Sequence, residues 1–240
     1  MYKFYLYYSF IHTKILLVMR YKDLKKLIAE GEGLHIEFKR KVYYPQKILR
    51  EVVAFVNTAG GKLCIGVSDD GQIPGLKYPD EAIYMMEKAM EDFCKPAVTY
   101  KIYRVPIPYT NGCEVVVFDF EPHPQRPVYL LYKKNTRVGK AYVRIADKSA
   151  QASKEMRRIM KARANEKDVL LQYGQHERTL LQYLGSHKRI NLEQYAKLVN
   201  ISQDEASTIL VNMTLANIIE VKPQEGGYDF FVHGRVGFKA

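Results

Sequence analysis

The 240-residue chain has only three cysteines, Cys64, Cys94 and Cys113. They are far apart and odd in number, and Cys64 and Cys113 sit inside apolar runs. That excludes a disulfide framework and a zinc knuckle, and reads as reduced core residues in a cytoplasmic protein. The six histidines show no metal-ligand spacing. No Ser/His/Asp or Cys/His arrangement is evident. No phosphate loop is present either: Ala59-Gly60-Gly61-Lys62 lacks the required spacing and leads into a strand rather than a helix. Long hydrophobic runs are also missing. The first eighteen residues are rich in Tyr, Phe, Ile and Leu but are broken by Lys3, His12 and Lys14. A membrane span needs about 20 apolar residues, and no small-residue cleavage site follows, so no membrane partner is expected. Met19 opens an ordinary cytosolic start. Residues 1–18 are therefore read as a non-native or disordered extension, with a short amphipathic anchor as the alternative.

Positive charge is abundant and unevenly placed. Net charge is +11, and residues 171–240 hold seven basic and seven acidic side chains, so the whole excess lies in the first 170 residues. A clustered basic excess attracts polyanions through counterion release. Residues 133–163 alone carry eleven cations against Asp147 and Glu155. Lys133, Lys134, Arg137, Lys140 and Arg144 are the part of this run that argues hardest for nucleic-acid contact. Tyr129, Tyr132 and Tyr142 stand among or near them and could stack on bases. The bland alternative is a solvated face.

Periodicity predicts a short helix over residues 21–30 and a strand through Leu34, Ile36 and Phe38. Glu37 and Lys39 fall on that strand's polar face. A helix opened by Pro45 carries the stripe Ile48, Leu49, Val52, Val53 and Val56. KLCIGV reads as a central strand, residues 80–94 as a helix, and AVTYKIYRV and CEVVVFDF as strands. VYLLYKK and KAYVRIA read as a hairpin, and residues 150–163 as a basic helix. Strands interleaved with helices make an α+β domain.

One ordered set of motifs stands out. Glu32 is followed by Glu37-Phe38-Lys39, then Ala54-Phe55-Val56-Asn57-Thr58-Ala59-Gly60-Gly61, then Gly66-Val67-Ser68-Asp69-Asp70-Gly71. This order resembles the Schlafen AlbA-like domain. The resemblance implies a nucleic-acid partner, DNA or RNA, and adds Lys39 and Arg40 to the contact residues. It also implies, for nuclease members, three acidic residues that cut RNA. Carried over by position they are Glu32, Glu37 and Asp69, with Asp70 the alternative third. Such a trio would be both catalytic and metal-binding, and would suit magnesium or manganese. Spacing alone does not bring Glu32 and Glu37 together, since five residues place them on opposite strand faces. Glu37 beside Lys39 could equally be a surface ion pair.

Residues 176–232 follow a different pattern: three helices, with Asn191 and Ser202 as caps, then two strands around Pro223-Gln224-Glu225-Gly226-Gly227. This resembles a winged helix-turn-helix. Its third helix carries Asp204 and Glu205 and no Lys or Arg, leaving Gln203, Ser207 and Asn212 as base readers. Dimerisation, giving a homodimer, or a protein contact is a comparable use for that fold.

The expectation is an α+β Schlafen AlbA-like mixed domain over residues 19–165, followed by a small winged-helix domain over 174–235. The function expected is nucleic-acid binding as a transcriptional regulator. The alternatives are a metal-dependent endoribonuclease, or an adaptor whose winged-helix domain binds protein.

Overall fold

The computed structural model describes residues 16–17, 19–165 and 173–234. A five-stranded sheet organises the first part of the chain. Its strands are β1 (Leu16–Leu17), β2 (Ile36–Lys39), β3 (Gly61–Ile65), β5 (Lys101–Pro106) and β6 (Glu114–Phe120), in the order β1-β5-β6-β3-β2. β2 and β3 run parallel, and the helix α2 (Pro45–Asn57) is the crossover between them. β3 lies inside the sheet, as its apolar composition predicts. The expectation for residues 1–18 falls outside the described residues apart from Leu16–Leu17, whose backbone pairs parallel with Ile102 and Tyr103.

Both sheet faces are covered. α2 and α3 (Pro79–Phe93) pack over Leu63, Ile65, Val116 and Phe118, and α1 (Tyr21–Ala29) packs over Ile36, Phe38, Cys64 and Val117. Burial pushes the Cys64 and Cys94 thiols up to about 12, which leaves both as inert core groups. Glu37 pairs in register with Leu63, so it faces α2. The expectation of a solvated polar face on β2 is corrected here: Glu37 is only 7% exposed.

The turn after α2 explains the Asn-Thr-x-Gly-Gly motif. The Asn57 amide donates to the carbonyls of Val128 (2.9 Å) and Tyr142 (3.0 Å) and accepts from the Val128 N–H (2.8 Å). The Thr58 hydroxyl accepts from the Arg144 backbone N–H at 2.9 Å. Gly60 has φ +76°, and a Cβ there would lie 2.5 Å from the Phe120 carbonyl oxygen. Gly60→Ala is therefore expected to lower stability by about 1–3 kcal/mol in a urea melt. A change below roughly 0.5 kcal/mol would show that the turn relaxes freely.

The region after β4 (Cys94–Lys95) departs from expectation. β7 (Tyr129–Leu131) pairs with β8 (Gly139–Lys140), but β9 (Tyr142–Ile145) turns forward to pair with β10 (Lys148–Gln151). The single expected hairpin is thus two, and the basic helix α4 (Lys154–Ala164) starts later. Its start is set by Ser153, whose hydroxyl accepts from the Met156 N–H at 2.9 Å.

The remaining elements follow the expected order: α5 (Gln175–Ser186), α6 (Leu192–Val199), α7 (Gln203–Leu215), β11 (Ile219–Pro223) and β12 (Asp229–His233). Asn191 and Gln194 form a reciprocal capping box, and Ser202 caps α7. α7 packs against α4. Arg158 donates to Ser207 at 2.9 Å, the Ser207 hydroxyl donates to Glu155 at 2.6 Å, and Lys154 meets Asp204 at 2.8 Å. Ser207 is 1% exposed, which removes it from the expected base readers. Ser153 also donates to Asp229 of β12.

Candidate nucleic-acid interface

A buried ionic network lies between β2, α2 and β9. Arg144 of β9 is enclosed, its side chain fully shielded from solvent. One terminal nitrogen donates to Glu37 and the other to Glu51, each at 2.7 Å. Its Nε donates to the Gly33 carbonyl at 3.0 Å, and Nη2 also reaches the Ile36 carbonyl at 3.2 Å. The guanidinium lies 4.9 Å from the Phe55 ring centroid. Ser149 of β10 completes the shell by donating to Glu51. Arg144 was expected among the nucleic-acid contacts. It is instead an internal fastener between two carboxylates and the loop that carries Glu32, because β9 runs across α2 with this side chain pointing inward. Glu51 was missed altogether. It sits on the buried side of α2, and its main partners, Arg144 and Ser149, are distant in sequence.

The three acids behave differently. Glu32 leans on the start of β2, its carboxylate accepting from the Phe38 N–H at 2.8 Å. Glu37 is shared between Arg144 and Lys39. Asp69 is exposed in the turn after β3, whereas Asp70 is engaged by the Gln72 N–H at 3.1 Å. Much of Glu32 reaches solvent, yet loss of water around its carboxyl is the first cause raising its pKa. The Phe38 N–H opposes the rise, while the charges of Glu37 and Asp69 add to it. The charges of Glu37 and Asp69 are thus both felt at the Glu32 carboxyl. Among the described residues, no group of three or more His, Cys, Asp or Glu is arranged to hold a metal ion. With Glu37 held by two cations, the donor set as arranged does not fit magnesium or manganese.

Above this network opens a cleft of about 690 Å³. Glu37, Glu51 and Ser149 lie along it with five cations, Lys39, Lys41, Lys47, Arg50 and Lys148. Lys39 is partly committed to Glu37 and the Phe38 carbonyl. Lys41 and Lys47 are exposed. Glu225, from the turn between β11 and β12, reaches the same rim and meets Lys148 at 2.9 Å. Of the other expected contacts, Arg40 is exposed. Lys133, Lys134 and Arg137 are exposed near the β7–β8 connection, with Lys134 paired to Asp92 at 2.9 Å. Lys140 lies half-buried, 6.0 Å from the Tyr132 ring centroid. Lys41, Lys47 and Arg50 were not singled out in the sequence, although the run Lys39-Arg40-Lys41 followed by Tyr43-Tyr44 before Pro45 was visible there.

A family model described as "Schlafen, AlbA_2" matches residues 32–153, just over half of the chain. The chain belongs to the Schlafen AlbA_2 family. The AlbA_2 segment contains the whole Glu37–Arg144–Glu51 network and ends at Ser153, the cap of α4. Membership brings a general nucleic-acid-binding role to the AlbA_2 segment. No curated protein matches the chain. Among solved structures it is similar to the DIP2311 protein from Corynebacterium diphtheriae, at 14% identity and a TM-score of 0.43. The likeness covers 78% of this chain and 36% of that one, so this chain corresponds to little more than a third of that protein's length. Among the described residues, no helix is long and apolar enough to cross a membrane.

Proposed function

We propose that the protein binds nucleic acid through the AlbA_2 segment, with phosphates held along the rim of the 690 Å³ cleft and by the cations near the β7–β8 connection. The observation that carries this reading is the collar of Lys41, Lys47, Arg50 and Lys148 around a floor whose two carboxylates are offset by Arg144 and Lys39. Because Glu37 and Glu51 each share their charge with Arg144, the floor repels an incoming phosphate less than two free carboxylates would. The binding reading is favoured over the ribonuclease one for the same reason: Glu37 is already occupied by cations of the protein. No cleavage step is assigned.

The elements α5–α7 with β11–β12 are read as a winged helix turned to internal use. α7 meets α4 through Ser207, Asp204 and Thr208, so part of the helix face that would meet a major groove is turned to the chain itself. A regulator of this build would hold its nucleic acid with the AlbA_2 segment, and α7 would act as an adaptor within the chain.

Fluorescence anisotropy of the full chain with labelled oligonucleotides tests the reading. Affinity is expected to fall steeply between roughly 50 and 200 mM salt. Lys41→Glu with Lys47→Glu should weaken binding to all sequences alike, and should reduce the salt slope by about one for each phosphate that is no longer neutralised. Oligonucleotides should remain intact with magnesium or manganese present. Binding that ignores salt, or is indifferent to the reversals, overturns the proposal.

A further inference from the structure

Two large aromatic side chains stand unburied where a folded chain gains nothing by exposing them. Tyr43 is 71% exposed and Tyr44 65% exposed, and both line the same cleft as Lys41, Lys47 and Arg50. Their platform is stiff. Tyr44 is the N-cap of α2, and Pro45 fixes the backbone at the first helical position. The Lys47 ammonium sits 4.9 Å from the Tyr44 ring centroid and restrains that ring while most of it stays open.

A second cleft, of about 530 Å³, also borders the first turn of α2. Gln46 lines it together with Tyr132, Lys133, Lys134 and Lys140. Tyr132 is 58% exposed, and again a lysine stands over its face. The pattern of an exposed ring with a neighbouring ammonium thus occurs in both clefts. Each cleft lies within the roughly 300–1,000 Å³ range that encloses a small ligand.

We infer that this face is selective for single-stranded nucleic acid, with unpaired bases stacking on Tyr43 and Tyr44, the backbone crossing the first turn of α2, and a further base reaching Tyr132. The inference rests on the binding proposed above and deepens it by naming the substrate class. A duplex offers phosphates to the lysines but no free base face to the tyrosines. A single strand offers both, and base–aromatic stacking is tolerant of sequence. The shared chemistry is an unpaired base on a charged backbone, which RNA and DNA both supply.

The test uses the full chain with oligothymidine, oligouridine and a blunt DNA duplex, each about 12 units long, a length within the range of single-strand site sizes. Single strands of either sugar should bind at least about tenfold more tightly than the duplex. Tyr43→Ala with Tyr44→Ala should weaken single-strand binding by about tenfold or more, and leave duplex binding within about twofold. The salt slope should stay the same, because no charge is removed. Tyr43→Phe with Tyr44→Phe should retain single-strand binding within about twofold, since stacking needs the ring and not the hydroxyl. A duplex bound as tightly as the single strands, or an alanine variant that changes nothing or changes both probes equally, overturns the inference while leaving the proposed function standing. Salt-insensitive or absent binding of all three probes overturns both.

Discussion

Arg144→Ala should destabilise the protein by about 3–5 kcal/mol, the cost of leaving buried charge without its partner. The residue is fully enclosed and holds Glu37 and Glu51 at once, so its removal takes the buried cation from two carboxylates rather than one. It also releases the carbonyls of Gly33 and Ile36, and with them the loop that carries Glu32. A thermal melt should fall by roughly 10 °C or more. Arg144→Lys keeps the charge but has no planar fork, so it cannot serve both carboxylates and two carbonyls together and should recover only part of the loss. Adding Glu51→Gln to Arg144→Ala should restore some stability by removing one of the stranded charges. A loss under about 1 kcal/mol for Arg144→Ala would mean that water reaches the network and solvates it.

Asp229→Asn should do the opposite and stabilise the fold near neutral pH. Asp229 is buried, and its Oδ1 has no hydrogen-bond partner. Burial pushes its pKa up to about 6, against a pull downward from the Ser153 hydroxyl and with a further push from Glu155. A carboxyl with a raised folded-state pKa binds more protons folded than unfolded between about pH 4 and pH 6. Its contribution to stability therefore falls as pH rises through that window, and the full cost is present above it. A rise of this size corresponds to about 3 kcal/mol at neutral pH. The amide keeps an acceptor for Ser153 without carrying charge. The difference between variant and parent in urea melts should be near zero at about pH 4 and grow to roughly 1–3 kcal/mol above pH 6.5. A difference that is flat across this range would show that Asp229 is solvated when charged. Using the difference matters, because Asp92, Glu121 and Asp204 have pKa values lowered by lysine partners and shift stability the other way as pH rises.

The elements that local chemistry controls were legible in the sequence. Pro45 and the apolar stripe of α2, the Asn191 and Ser202 caps, and the turn at residues 223–227 each specify their own conformation, and each appears where expected. What was not legible depends on partners remote in sequence. The alternation through Ile36, Glu37 and Phe38 has the period of a half-solvated strand. Nothing local says that β9 and α2 will close over the second face. Arg144 sits in a run of cations, most of them exposed or half-buried, and only its register opposite Ser149 on β10 turns it inward. Glu51 reads as an ordinary helix glutamate for the same reason. The split into two hairpins was missed because Lys148-Ser149-Ala150-Gln151 suits a helix start as well as a strand, and the Ser153 cap decides between them. The candidate site follows the same division. The motif residues mark its place, while the cations and rings along the cleft are assembled by the fold.

The ion pair between Lys148 and Glu225 joins the rim of the cleft to the β11–β12 hairpin. Both side chains are well exposed, so the pair adds little to stability. Its consequence lies in thermodynamic reciprocity. A phosphate at Lys148 would compete with Glu225 for the same ammonium, so occupancy of the cleft and seating of that hairpin tip draw on one cation. Whatever loosens the tip then favours the ligand, and the ligand loosens the tip by the same factor. A contact of small energy can in this way make the β11–β12 hairpin a reporter of what the AlbA_2 segment holds.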